Sequence, residues 1–497
     1  MFTKLKELVN KILNLSKLLD NYKKESVVQA MPSLAYVNRA KKCIERQEYQ
    51  KAEKILEDAM ELPQEDALVY KYLGIICERT NRLADAIVAY KKSANLNNSD
   101  KEIWRLLGFA LMNTNKCEEA IESFENANKI NPANTDIFAG WGMALMKLKR
   151  NNEAHEKFME SVRLNKYNFM ALLLAAIMEV RTGQYNEAEA KLNFLANVNP
   201  NETNTYEYAN LKYIKKDYDS AIHYANKALE FNPNMLPVYL LLGKLYTIKG
   251  NKKESIKAYK TAKEHKLETP HLYFDWAVTL QIWEDFKEAK EHFLDVLNTA
   301  PNEEEAKAGL ALVEACLCNI DRAEAIMTTI KNLDDTNYLF AKATGVISMF
   351  NSDFETAIRK FKTAQDKMPF DNTLNLYMAV CYDELNDSNN AKEYYESALL
   401  NAKDNLKAYQ KYADFLTKHQ EYESAQRKLK RALKLDENNI NTLNKLFHIS
   451  YILVKENNSE YNVKEALSIA DKIKSIDKDA FLYPEECTDL EKIIENR

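Results

Sequence analysis

The sequence predicts an all-α solenoid, in which the chain stacks copies of one helical hairpin. The first observation behind this prediction is a small residue that returns every 34 residues over about 375 residues, with a single shorter step of 33. A period held over this length indicates one supersecondary unit repeated many times. The residues that carry it are Ala52, Ala86, Ala120, Ala154, Ala188, Ala221, Ser255, Ala289, Ala323, Ala357, Ala391 and Ala425.

The second observation is the pattern that follows each of these small residues. Four positions later stands an aromatic or aliphatic residue in nearly every copy, as in Tyr90, Phe124, Phe158, Phe293 and Phe361. Another small residue comes three positions after that, as in Ala59, Ala127, Ala228, Ala262 and Ala364. Steps of three and four residues place side chains on one face of a helix. We therefore predict an apolar stripe on the second helix of each hairpin.

The repeating unit is clearest in residues 101–134. Its first helix has a stripe formed by Trp104, Leu107, Gly108 and Leu111, its second a stripe formed by Ala120, Phe124 and Ala127, and Pro132 closes the unit. This resembles the tetratricopeptide repeat, whose pattern is W-x2-L-G-x2-Y, then A-x3-F, then P, with Leu111 in place of the tyrosine. The resemblance covers roughly residues 33–478. It implies a right-handed superhelical solenoid of about 12–13 helix-turn-helix repeats.

The glycines support the same assignment. Two helices approach closely only where one of them has no bulk, so the eighth position of the first helix favours Gly or Ala. Five of the nine glycines hold that position, namely Gly74, Gly108, Gly142, Gly243 and Gly345. Gly183 and Gly250 lie where the first helix turns into the second. One motif thus accounts for seven of the nine.

The predicted organisation has three parts. Residues 1–32 are an N-terminal amphipathic helix and its connection, 33–440 a regular array of twelve repeats, and 441–497 a degenerate last repeat with a C-terminal cap. In the last part the step from Ala425 to Ala466 is 41 residues, so about seven residues are inserted. We predict that a polar cluster at residues 457–460 holds them as a loop. Terminal repeats of solenoids are commonly atypical because their outer face meets water.

Composition limits the possible partners and the compartment. A net charge of −5 and a pI of about 6.0 argue against a nucleic-acid partner. The longest apolar run, residues 169–178, is far shorter than a membrane-spanning helix. Seven cysteines, an odd number without framework spacing, fit a reducing compartment. A cytoplasmic protein without a transmembrane segment is the prediction.

No motif in the sequence indicates catalysis. The chain has no G-x-S-x-G, no glycine-rich phosphate loop and no HExxH. Cys316 and Cys318 have no second cysteine pair and no nearby histidine to complete a zinc set, and we interpret them as packed thiols on the first helix of repeat nine. The expectation is therefore no catalytic residue, no metal site, no cofactor and no enzymatic activity.

The first helices suggest a binding groove. In the family, positions two, five, nine and twelve of the first helix face the concave surface, and here many are apolar. The candidate partner-binding residues are Phe109, Met112, Met143, Met146, Leu173, Ile177, Val180, Phe274 and Val278. Two interpretations remain open. Tight superhelical winding would bury these side chains against neighbouring helices, whereas an exposed strip with flexible methionines would suit an apolar peptide.

Residues 1–25 carry a second candidate surface. Apolar residues alternate three and four apart over about two and a half heptads, at Leu5, Leu8, Ile12, Leu15, Leu19 and Tyr22. This helix could cap the first repeat, pair with a second copy or a partner helix, or lie on a membrane surface. Self-association through residues 1–25 is thus one of three open alternatives.

These observations predict a protein–protein interaction scaffold or adaptor that holds a peptide or partner segment in its concave groove. The partner is a protein or peptide that the sequence does not identify. Two alternatives remain open: a non-catalytic accessory subunit of an enzyme complex, for example in glycan or envelope assembly, and a peptide-responsive regulator.

Overall fold

The structure, a computed structural model, describes residues 32–401, 405–457 and 460–495. Within these ranges there is no strand, and consecutive helices pack together as hairpins, which confirms the predicted all-α repeat fold. The chain divides into two compact units, one ending at Phe231 and the other starting at Asn232. The apolar stripe predicted for residues 1–25 lies outside the described residues.

The first unit contains six hairpins in its described part. Their helices are Pro32–Glu45 (α1), Tyr49–Met60 (α2), Ala67–Arg79 (α3), Leu83–Leu96 (α4), Ile103–Asn113 (α5), Cys117–Ile130 (α6), Thr135–Lys147 (α7), Asn151–Leu164 (α8), Phe169–Arg181 (α9), Tyr185–Val198 (α10), Glu202–Ile214 (α11) and Tyr218–Phe231 (α12).

The second unit continues the same alternation of first and second helices. Its described helices are Leu236–Ile248 (α13), Lys252–Glu264 (α14), Pro270–Ile282 (α15), Phe286–Thr299 (α16), Glu304–Cys316 (α17), Ile320–Met327 (α18), Tyr338–Phe350 (α19), Phe354–Lys367 (α20), Thr373–Glu384 (α21), Ser388–Asn401 (α22), Leu406–Lys418 (α23), Tyr422–Leu433 (α24), Ile440–Asn457 (α25), Glu460–Ile476 (α26) and Pro484–Glu495 (α27).

Each regular hairpin turns through one residue in the left-handed conformation. Asn81 is an example: its φ is 61°, its N–H donates to Glu78 O, and the next N–H, of Arg82, donates to Cys77 O at 2.7 Å. This pair of bonds satisfies carbonyls that the end of a helix leaves free. The equivalent residues are Gln47, Asn81, Asn115, Lys149, Gly183, Lys216, Gly250, Glu284, Cys318, Ser352, Asn386 and Gln420. Only two are glycine, so the sequence revealed this turn in only two repeats.

The close approach predicted at the glycines is confirmed. A Cβ added to Gly108 would lie 2.7 Å from Cε1 of Phe124, the aromatic residue of the same hairpin. A Cβ on Gly140, in the next repeat, would lie 2.6 Å from Cζ of the same ring. Gly309 stands in the same relation to Phe293 of the preceding repeat. The sequence motif left Gly140 and Gly309 unexplained. Each of them packs against the aromatic ring of the preceding repeat.

Repeat nine departs from the pattern. Its second helix, α18, has eight residues and buries only Ala323, and the chain then runs through turns to residue 337. As a result the first helices α17 and α19 pack directly on each other. The interpretation of Cys318 as a packed thiol is wrong: α17 ends at Cys316, and Cys318 is exposed at the turn with a φ of 64°.

The insertion in the last repeat also differs from expectation. Asn457 ends α25 and Glu460 begins α26, so the described helices reach both ends of the loop predicted at residues 457–460, and positions 458 and 459 lie outside the described residues. The added residues instead lengthen the two helices, which have 18 and 17 residues. Continuing a helix satisfies its backbone groups internally, which a loop of that length does not. The three-part division of the chain stays a prediction.

None of the described helices combines the length and the apolar character that crossing a membrane requires.

The contact between Gly108 and Phe124 gives a first prediction. Alanine normally stabilises a helix relative to glycine by up to about 1 kcal/mol. Gly108→Ala should instead destabilise the protein by about 1–3 kcal/mol, since the new Cβ overlaps a ring fixed on both sides. Urea unfolding measures the change. Adding Phe124→Leu should relieve the overlap, and a Gly108→Ala protein as stable as the wild type would contradict this account.

The turn geometry gives a second prediction. Lys149→Gly should stabilise the protein by about 0.5–1 kcal/mol, because glycine adopts a φ of 60° without steric strain. Gly183→Ala is the matched reverse change. The φ of Gly183 is 81° and an added Cβ would meet nothing within 4 Å, so only the strain of the backbone conformation changes. A loss of about 1 kcal/mol is expected there. Opposite signs in thermal unfolding support the account, and equal signs refute it.

Candidate functional site

The nine predicted groove residues all lie on first helices. They are Phe109 and Met112 in α5, Met143 and Met146 in α7, Leu173, Ile177 and Val180 in α9, and Phe274 and Val278 in α15. Met112 and Leu173 are buried, and the other seven are half-buried. The first seven belong to the first unit and the last two to the second, so the structure gives two separate sets.

The set in the first unit is partly core. The ring of Phe109 meets that of Phe124 edge-on, with centroids 5.2 Å apart. Met143, Met146 and Ile177 pack against the cluster of buried side chains that contains the same Phe124. These side chains therefore combine a buried part with an accessible part. Their role in partner binding stays a prediction.

The set in the second unit lines a cavity of about 230 Å³. Phe274 and Val278 form part of its wall, together with Ile282 from the end of the same helix. Leu339 comes from the start of α19, and Met368 and Phe370 come from the connection between α20 and α21. The cavity thus collects apolar side chains from repeats eight and ten, next to the irregular repeat nine.

The neutral polar groups of the cavity wall already have partners. The Tyr259 hydroxyl and the Thr279 hydroxyl lie 2.9 Å apart, and Thr247 Oγ1 donates to Gly243 O at 2.8 Å. Asn337 Nδ2 donates to Glu305 Oε1 at 2.8 Å. These bonds fix the wall before any ligand arrives, because each donor is held by the protein itself.

Three charged residues line the same cavity, namely Lys244, Asp275 and Glu305. Burial raises the pKa of the Asp275 carboxyl, whereas the charges of His271 and Lys244 act in the opposite direction. Two carboxylates against one ammonium leave the wall with an excess of negative charge. Asp275 was not among the predicted site residues, because a single acid beside an apolar helix face gives no recognisable pattern.

A buried polar network lies beside the cavity and shares Tyr338 with it. The Lys342 ammonium is 2.5 Å from Asp371 Oδ2 and donates to Gln281 Oε1 and Thr373 Oγ1. The Tyr338 hydroxyl donates a hydrogen bond to Asp371 Oδ2 at 2.6 Å and accepts a hydrogen bond from Gln281 Nε2. Lys342 and Asp371 are both fully buried. The network therefore ties α15, α19 and α21 together across three repeats.

The hydroxyl of Tyr338 stays protonated in this network. Burial raises its pKa well above the usual range, and the neighbouring Asp371 carboxylate acts in the same direction. The hydroxyl is thus a permanent hydrogen-bond donor to Asp371 in the range of pH at which proteins fold.

Two other repeats place a polar pair at the same register as Lys342 and Asp371. Lys71 and Asp100 are also 29 residues apart, with 3.0 Å between Nζ and Oδ2, and Gln410 Nε2 donates to Asn439 Oδ1 at 3.1 Å. A polar residue at position five followed 29 residues later by Asp or Asn is a signal that the sequence contains but that the repeat motif does not include. In these three repeats the pair joins the first helix of the repeat to the start of the next repeat.

Lys71 shows that the charged groups of these pairs already interact with other groups of the protein. Burial lowers its pKa, but hydrogen bonds to Glu102 and Asp100 outweigh burial and raise it. An ammonium held by two carboxylates in this way has little capacity for a further anion.

The described residues contain no group of three or more His, Cys, Asp or Glu side chains that could hold a metal ion. Cys316 lies 3.8 Å from the Tyr377 hydroxyl, and burial raises the thiol pKa to about 11. A thiol of this kind remains protonated and a poor nucleophile.

Comparisons with known proteins agree with the repeat architecture. A family model described as the cytochrome c-type biogenesis protein H TPR domain matches residues 95–206. A model described as the tetratricopeptide repeat matches residues 206–235, 236–264 and 378–405. A comparison with curated proteins finds no match.

Solved structures of other proteins align with this chain. The Cut9–Hcn1 hetero-tetramer of the APC/C aligns with a TM-score of 0.54 and 16% identity, covering 94% of this chain and 98% of that one. A tetratricopeptide repeat protein from Parabacteroides merdae aligns with 19% identity over 50% of this chain and 98% of that one, with a TM-score of 0.42. PilF of Pseudomonas aeruginosa aligns with 20% identity over 41% of this chain and 94% of its own, with a TM-score of 0.37.

The buried network gives a third prediction. Lys342→Met leaves the fully buried Asp371 carboxylate without its counter-ion, and should lower the free energy of unfolding by about 3–5 kcal/mol. Lys392→Met is the matched control: its ion pair with Glu421 has side chains 43% and 40% exposed, and its loss should stay below about 1 kcal/mol. Chemical denaturation compares the two variants, and equal losses would contradict the assignment.

Proposed function

Because the chain belongs to the tetratricopeptide repeat family, whose members are scaffolds for protein–protein interactions, we propose that its first helices bind an extended segment of a partner protein. The observation that carries this proposal is the cavity of about 230 Å³ in the second unit. Phe274 and Val278, which the repeat register assigns to the binding face, both line it. We propose that the cavity holds one anchoring side chain of the segment.

The size and the wall of the cavity support a peptide anchor rather than a cofactor. Sites for drug-sized ligands and cofactors commonly have about 300–1,000 Å³, and this cavity is smaller. Six apolar side chains face a few polar groups that are already hydrogen-bonded. Burying an apolar stem against such a wall gives the largest gain in binding free energy. Buried anchors of this kind commonly contribute most of the binding energy of an interface.

We extend the proposal to the first unit as a second contact. Phe109, Met143 and Ile177 are half-buried, so each retains an accessible surface beside its core contacts. Methionine side chains adapt to partners of varied shape. The proposal assigns repeats three to five to a longer stretch of the same class of partner, whether that partner is an independent protein or the catalytic subunit of a complex.

A pair of double variants tests both contacts and supplies the fourth prediction. Phe274→Ala with Val278→Ala should weaken affinity capture of the partner by at least about 2 kcal/mol, a factor of about 30. Phe109→Ala with Ile177→Ala should weaken it as well. Leu400→Ala is the control, since Leu400 is 72% exposed on a second helix.

Thermal unfolding of the same variants separates binding from packing. A double variant that loses several kcal/mol of stability and captures the partner as the wild type does would show that its residues are core, and would remove them from the site. If neither pair affects capture, the proposed function is wrong.

A further inference from the structure

We propose that the side chain bound in the cavity is cationic, an arginine or lysine of the partner segment, and that it pairs with Asp275. This inference rests on the proposed function and specifies the chemistry of its anchor. It commits the cavity to a basic segment of the partner.

Asp275 lacks a hydrogen-bonding partner among the residues that the structure describes. Asn337 holds Glu305, and the hydroxyls of Tyr259 and Thr279 hold each other. Asp275, by contrast, has no hydrogen bond and no ion pair with any of the described residues, although the charges of Lys244 and His271 act on it from a longer distance. A partly buried carboxylate without a hydrogen bond or an ion pair is unfavourable unless a ligand supplies one. The raised pKa of this carboxyl has the same physical cause.

The charge of the cavity wall also favours a cation. The wall contains two carboxylates, Asp275 and Glu305, and one ammonium, Lys244. An anionic anchor would meet an excess of like charge, and a purely apolar anchor would bury Asp275 further without pairing it. A cationic ligand would pair with Asp275 and balance the excess negative charge of the wall.

The apolar part of the wall suits the stem of a long basic side chain. Phe274 and Val278 lie on the same helix as Asp275, and Leu339 and Met368 enter the cavity from other elements. Arginine and lysine have long apolar stems that pack on such surfaces while the charged group reaches a polar one. Guanidinium groups also stack on aromatic rings, and Phe274 and Phe370 supply two.

Selection from a phage library of random peptides on the full chain tests this inference. Peptides retained by the wild type should be enriched in arginine or lysine over the input library. Asp275→Asn, which keeps the shape and removes the charge, should abolish that enrichment and leave the protein at least as stable. Asp321→Asn removes an exposed carboxylate of the same unit and should leave the enrichment intact.

A synthetic peptide from the selection gives the quantitative test. Replacing an arginine by citrulline removes the charge and keeps the length of the side chain, and replacing a lysine by norleucine removes the charged group and keeps the four-carbon stem. Binding to the wild type should weaken at least about 10-fold, and binding to Asp275→Asn should change by less than about 2-fold. An equal loss on both proteins would overturn the pairing with Asp275.

The other outcomes separate this inference from the proposed function. Retained peptides that lack basic residues, and that Phe274→Ala no longer retains, would overturn the cationic anchor and leave the binding function standing. Retention that is indifferent to Phe274→Ala, or no retention at all, would refute the binding function and the inference with it.

Discussion

The fold depends on one contact: an aromatic ring laid against helix backbone that carries no side chain. Phe124 shows it most fully, because Gly108 of its own hairpin and Gly140 of the next repeat both meet its ring. The contact sets the distance between the two helices of a hairpin and, through the second glycine, the distance to the following repeat. In other repeats, alanine takes the glycine position. Since each ring joins only adjacent helices, the array grows by local contacts.

Polar contacts also connect repeats that are not neighbours along the chain. In the second unit, Lys342 bonds to both Gln281 and Asp371 and so joins three repeats. Lys407 reaches Glu284 at 3.2 Å although the two residues lie in repeats twelve and eight. Such contacts require that unit to curve. The cavity lies within this curved region, beside repeat nine, whose short second helix brings two first helices into direct contact. The candidate site thus lies beside an irregular repeat.

The sequence predicted the fold more completely than the site. The period and the glycine positions gave the helices, their pairing and the buried stripe, because each depends on residues within about 40 positions of one another. Phe274 and Val278 were assigned to the binding face by register, and both line the cavity. The register could not show that Met112 and Leu173 are buried while Phe109 and Ile177 remain half-exposed, since burial depends on the bulk of the neighbouring repeats.

The sequence by itself determined that this chain repeats a helical hairpin, because the small and aromatic residues that form each hairpin recur at fixed spacing. The tertiary structure decided what the repeats enclose. Asp275, Leu339 and Met368 are separated by up to 93 residues and share a cavity only after several repeats have packed. Likewise Gln281 meets Lys342, 61 residues later, only across a curved stack. A periodic pattern specifies contacts between neighbours, whereas a site formed by residues several repeats apart depends on the accumulated rotation of every repeat between them.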